Sequence, residues 1–168
     1  MSKKPPTDPM SHIQAVSKAL RQPGQPNVTF QVLDAALKAI IGHKILTVLL
    51  YHADLQETER FYSSDIEAYP IAGRKDVRPT AWTEHLLIGQ QCYIGYNADD
   101  IREFFLDHEL IHSLGCDAIL NVPVVYDGET LGTCNLMHEE GWYDEDDIEI
   151  AMTLVNIAAP AYLHIRGK

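Results

Sequence analysis

Two histidines four residues apart flank a glutamate in the stretch DHELIHSLG, Asp107 to Gly115. On a helix His108 and His112 share a face, so both imidazoles can reach one metal ion while Glu109 holds a water as general base, as in the HExxH zinc hydrolases. Catalytic zinc takes a third protein ligand. The extended pattern HExxHxxGxxH places that ligand where this chain has Ala118, and the other route, a glutamate from a downstream helix, is met only by Glu145 or Glu149 in an acidic first turn. The helix has a simpler reading. Ile101, Phe104, Phe105 and Ile111 form an apolar face that includes His108 and carries His112 at its edge, where a histidine more often makes a hydrogen bond than binds an ion. No metal is expected.

The other reactive side chains are Cys92, Cys116 and Cys134, an odd number with no CxxC spacing, which suits a reducing compartment better than a disulfide framework. A cysteine in an apolar run such as LGTCNLM is by default a small core residue. The segment IEAYPIAGRKDVRP is long for a loop and carries Arg74, Lys75 and Arg78, which could meet an anionic ligand at a pocket mouth or simply face solvent; Gly73 there offers a place for a positive φ.

These groups belong to a chain of 168 residues, 46% apolar, enough for one well-cored domain. A formal charge of -11 disfavours phosphate backbones and anionic lipid surfaces, so neither a nucleic acid nor a membrane partner is expected. MSKKPPTDPM has basic residues without an apolar run behind them and reads as a flexible tail over 1–10, with a single domain over 11–168. A cytoplasmic protein is expected.

The elements follow from periodicity. SHIQAVSKALR, with Ser11 as N-cap, and TFQVLDAALKAIIG, stopped by Gly42, predict two helices. HKILTVLLYH predicts a strand buried on both faces and TERFYSSD its antiparallel neighbour. Thr80 caps a helix through AWTEHLLIG, QCYIGY is a short strand, and ADDIREFFLDHELIHSL is one helix. Asp127 and Gly128 join two β-rich runs as a hairpin. The closing helix DEDDIEIAMTLVNIAAPAYLHI has two apolar stripes, one through Ile148, Ala151, Met152, Val155, Ala159 and Tyr162, the other through Ile150, Leu154, Ile157 and Ala161. If the N-terminal helices leave the second stripe bare, a homodimer through the terminal helices would cover it. Neighbouring strands pairing in sequence imply an α+β architecture, an antiparallel sheet with helices against it.

The blocks ERFYSSDIEAYPIAGRKDVRPTAW and DDIREFFLDHELIHSLGCDAILNVPVVYDGETLGTCNLMH, with the closing helix, together look like a GAF domain, most similar to the stand-alone bacterial GAF proteins of unassigned activity. SLGCDAILNVPVVYDGETLGTCNL carries the most specific part: a small-residue turn, a strand ending in a Pro motif, a tight turn and a strand beginning Leu-Gly. The resemblance implies a PAS-related central sheet that holds a small molecule between one face and the helices and loops over it. It implies a sensory or regulatory role, an unidentified organic ligand and no defined cofactor, and it makes HExxH an overlap of letters on the pocket-side helix. By analogy Tyr62, Trp82, His85, His108, Asn121, Thr133 and Asn135 would line the pocket. Cyclic-nucleotide-binding members carry an Asn-Lys, Phe, Asp-Glu pattern that NADDIREFFLDHE lacks, and bilin-bearing members attach the chromophore to a Cys beside a His, which this chain does not have. The enzymatic branch, the free methionine sulfoxide reductases, would here require Cys116 to work with Cys92. A zinc hydrolase through His108, Glu109 and His112 is the other enzymatic alternative.

Overall fold

A computed structural model describes residues 8–167. Helix α1, Pro9–Ala19, starts earlier than Ser11: Asp8 is the N-cap, its Oδ1 accepting the Met10 N–H at 3.1 Å, and Pro9 fits the first turn because it has no N–H to satisfy. Residues 1–7 of the expected tail lie outside the described residues, and Pro9 and Met10 belong to the helix. Helix α2, Asn27–Ile40, ends as expected at Gly42, whose φ is +102°. Trp142 fixes this corner by donating its indole N–H to the Ile41 carbonyl at 3.0 Å, and the Tyr143 hydroxyl donates to the Gly42 carbonyl at 2.9 Å.

The strands are β1 (Ile45–His52), β2 (Glu57–Ser63), β3 (Arg74–Asp76), β4 (Tyr93–Gly95), β5 (Ala118–Tyr126) and β6 (Glu129–His138). They form one six-stranded antiparallel sheet in the order β3-β2-β1-β6-β5-β4. The expected hairpin joins β5 to β6, with Asp127 and Gly128 both at positive φ, 52° and 75°, as a two-residue turn matched to the sheet twist requires. The segment read as a loop holds β3, which adds a short edge to β2, and the positive φ there falls on Ala72, at 71°, rather than on Gly73.

Five α-helices remain. α3 (Ala81–Thr83) continues as a π-helical turn over Glu84–Ile88. The segment expected as one helix is broken into α4 (Ala98–Phe104) and α5 (His108–Ser113). Phe105 is extended, with φ -111° and ψ 117°, and packs edge-on against Trp82 with ring centres 5.5 Å apart, while Asp107 accepts the Tyr69 hydroxyl at 3.0 Å. Those two tertiary contacts outweigh a propensity worth only tenths of a kcal/mol per residue. The closing helix also divides, into α6 (Ile148–Ile157) and α7 (Ala159–Arg166), bent by 46°. Pro160 stands in the first turn of α7, where it cannot continue the bonding of α6.

The sheet separates two unequal layers. Leu46, Val48 and Leu50 of β1, Leu120, Val122 and Val124 of β5, and Cys134 and Leu136 of β6 meet α1, α2, α6 and α7 in the main core. The other face carries a smaller cluster, Ile45, Tyr69, Ile101, Ile111, Cys116, Ile119 and Met137, under α4, α5 and the segment after β2. Among the described residues no single helix is long and apolar enough to cross a membrane.

Candidate functional site

Between the small apolar cluster and the hairpin end, the second sheet face turns polar along one register. Asn121 of β5 pairs with Asn135 of β6, Asn135 with Thr47 of β1, and Thr47 with Ser63 of β2, so four polar side chains lie side by side. None is more than 8% exposed, and Thr133, one step along β6 on the same face, is 2% exposed. Buried polar groups are costly unless bonded. Here the bonds run in one direction. The Trp82 indole N–H donates to Asn121 Oδ1 at 3.0 Å, Asn121 Nδ2 donates to Asn135 Oδ1 at 2.6 Å, and Asn135 Nδ2 donates to the hydroxyls of Thr133 and Thr47 at 3.1 and 3.3 Å. The chain carries no ionised group and ends on hydroxyls that can turn their own protons toward a guest. Trp82, braced by Phe105, forms an aromatic wall beside it. Together these side chains form a neutral, directional hydrogen-bonded layer under an aromatic ring.

One end of this surface is cationic. β2 contains a bulge where its register against β1 shifts, so that both Ser63, opposite Thr47, and Arg60, opposite Leu49, fall on the polar face although they are three residues apart. The Arg60 guanidinium lies 4.9 Å from the centre of the Tyr69 ring and donates through Nη1 to the Pro70 carbonyl at 3.0 Å. Its Nε is wholly buried and donates to nothing, a deficit of about 1–3 kcal/mol if left so. Burial lowers the Arg60 pKa, opposed by the nearby Tyr69 and Asp107.

Of the residues expected to line a pocket, Trp82, Asn121, Thr133 and Asn135 come together in this chain. Tyr62 does not join them: it projects from the opposite sheet face into the main core, near Phe30, and its hydroxyl donates to Asp34 Oδ2 at 2.6 Å. His85 is exposed at the β4 edge, its Nε2 2.7 Å from the Cys92 carbonyl, beside a cleft of about 500 Å³. His108 lines a different cleft, about 330 Å³, with Glu109, His112 and Asp117. Thr47, Ser63 and Arg60 were missed. Thr47 had a signal, as the polar residue interrupting ILTVLL, whereas Arg60 reaches the face only through a bulge that period-2 counting does not show.

The HExxH pair keeps its helical spacing within α5, but His112 Nδ1 is bonded to Asp117 Oδ1 at 2.6 Å, and among the described residues no group of three or more metal-binding side chains could hold an ion. The cysteines are divided by the sheet, Cys92 in the main core and Cys116 in the smaller cluster. Burial pushes the Cys92 thiol up to about 12 and the Cys116 thiol up to about 11, so neither is a thiolate near neutrality. In the basic loop Arg74 is paired with Glu57 and Glu59 at 3.0 and 2.9 Å, and Lys75 approaches Asp107 at 3.9 Å.

Comparison with protein families matches residues 29–162 to the GAF domain. Comparison with curated protein sequences gives no match. Among solved structures, the GAF domain of an Acinetobacter phosphoenolpyruvate-protein phosphotransferase superposes with a TM-score of 0.73 at 12% identity, covering 99% of this chain and 98% of that one. Its counterpart from Coxiella burnetii gives 0.70 at 12% identity, over 96% and 98% of the two chains. The phycocyanobilin-bound GAF domain of a cyanobacterial phytochrome gives 0.68 at 16% identity, over 95% and 97%. At such identities the likeness is one of fold.

Proposed function

The chain belongs to the GAF domain family, typically sensory or ligand-binding modules of signalling proteins, and from that premise we propose that it binds a small organic molecule on the polar sheet face. The observation that carries this reading is the buried relay from Trp82 through Asn121 and Asn135 to Thr133 and Thr47. A neutral hydrogen bond adds only about 1 kcal/mol net while burying its groups risks more, and on this face five polar side chains are buried side by side along one register, which favours a role in recognition. The ligand's body is therefore polar and uncharged where it meets the relay, and flat enough to lie against Trp82. Binding is regulatory in consequence: a guest under α3–α5 would reposition the segments latched by Tyr69–Asp107 and Trp82–Phe105.

A weak homodimer through the terminal helices is the second part of the proposal. α1 and α2 pack on α6, Leu154 and Ala161 are buried, and only Ile150 and Ile157 keep part of their surface. Any such dimer would centre on those two side chains.

A metabolite screen tests the ligand reading, read by melting temperature and by the fluorescence of Trp82 in a Trp142→Phe background. A binder is expected to raise the melting temperature and change Trp82 emission, and Asn121→Ala or Trp82→Ala to abolish its effect. A screen in which every hit acts equally on the wild type and on both variants would remove the polar face as the site.

A further inference from the structure

We propose that Arg60 is an anion anchor at the end of the ligand face, so that the bound molecule carries a carboxylate or phosphate group beside its neutral polar body. The inference rests on the ligand reading above and adds the charge of the guest.

Three independent observations meet at this residue. First, the bulge in β2 is what places it: with unbroken alternation from Ser63, Arg60 would share the core face with Tyr62, and the shift between Val48 and Leu49 instead sets it opposite Leu49, beside the polar register. Second, Arg60 has no carboxylate within ion-pair distance among the described residues, in a chain where acids outnumber Lys and Arg by 24 to 13. Counterions are abundant, yet Asp107, the acid whose charge acts on Arg60, stays beyond ion-pair distance of it. Asp107 accepts the Tyr69 hydroxyl at 3.0 Å and lies 3.9 Å from Lys75, while Glu57 and Glu59 hold Arg74. Third, the guanidinium is fixed in place by the Tyr69 ring and the Pro70 carbonyl, while the buried Nε–H has no acceptor. A planar fork held by one amino group, with its Nε edge unused, suits bidentate capture of a carboxylate or a phosphate. The segment beside Arg60 is tied down by backbone bonds in both directions, Arg60 N to the Gly73 carbonyl and Ala72 N to the Arg60 carbonyl, which holds the guanidinium's backbone fixed.

The test uses the full chain labelled with ¹⁵N and three probes sharing one ring: benzoate, phenyl phosphate and neutral benzamide. The Arg60 Nε–H resonance, assigned by its loss in Arg60→Lys, and the Trp82 indole N–H are followed in parallel. At least one anion is expected to shift both resonances and to bind about tenfold or more tightly than benzamide. Arg60→Gln is expected to reduce that preference to within about twofold, and Arg60→Lys, which keeps the charge without the fork, to retain part of it. A response to benzoate alone or to phenyl phosphate alone supports the inference and names the group. If all three probes shift Trp82 with equal affinity and Arg60→Gln binds them unchanged, the anchor is wrong while the ligand face stands. If the anions shift Arg60 and leave Trp82 still, the anchor lies outside the ligand face and the inference fails in its placement. If no probe moves either resonance, both readings fall.

Discussion

Tyr62 and Asn121 are both polar side chains on strands of one sheet, yet they do opposite work because they sit on opposite faces. Tyr62 completes a cluster in the main core: its hydroxyl donates to Asp34 Oδ2 at 2.6 Å, and His43 Nε2 meets Asp34 Oδ1 at 2.7 Å. Burial alone would raise the Asp34 pKa, but the hydrogen bonds from His43 and Tyr62 outweigh it and hold the carboxyl below its ordinary 3.8. A carboxylate with a lowered folded pKa contributes stability that is fully present above the unfolded value and is lost as pH falls through the folded one. Denaturation of the wild type should therefore steepen below about pH 4, and Asp34→Asn should be less stable at neutral pH while losing that part of the acid dependence. Tyr62→Phe should cost about 1 kcal/mol in urea unfolding and leave ligand binding untouched, because its hydroxyl faces away from the relay. If Tyr62→Phe weakened binding at unchanged stability, Tyr62 would belong to the site after all.

At the scale of elements, two close approaches hold the polar face in register. Gly132 lies so near the Leu49 carbonyl of β1 and the Tyr162 ring of α7 that a Cβ would strike both. Gly132→Ala should thus push β6 away from β1 and destabilise by about 3 kcal/mol, measured by thermal unfolding, since the obstacle is backbone and cannot turn aside. The hairpin turn is a milder case. Gly128 has a positive φ of 75° with open space around it, so Gly128→Ala should cost only about 1 kcal/mol of left-handed strain and keep the β5–β6 register. The break between α4 and α5 belongs to this scale too. It turns Phe105 under Trp82 at the expense of leaving Leu106 81% exposed, an arrangement that a continuous helix through FFLDHE would not permit.

For the whole molecule the acidic charge and the two layers set different expectations. The net charge of -11 argues for weak self-association, and the inner stripe of the closing helix is already covered by α1 and α2. Sedimentation velocity is expected to show at most a weak monomer–dimer equilibrium, weakened further in Ile150→Glu with Ile157→Glu; a tight dimer indifferent to both changes would place the interface elsewhere.

What the sequence determined by itself was local or periodic. The apolar alternation of ILTVLL, the Asp127-Gly128 turn, the stop at Gly42 and the motif run through SLGCDAILNVPVVYDGETLGTCNL were enough for an antiparallel α+β domain of the GAF type, while the GAF resemblance, not the residues' spacing, named seven pocket residues, of which Trp82, Asn121, Thr133 and Asn135 share one hydrogen-bond relay. Tertiary structure alone decided which face each polar residue serves. A single bulge in β2 reverses parity for Arg60, a contact with Trp82 breaks the helix that carried HExxH, and Tyr62 turns to Asp34 rather than to a ligand. Periodicity reports where a side chain points only while the backbone stays regular, as it does for Thr47, Asn121, Thr133 and Asn135 and does not for Arg60.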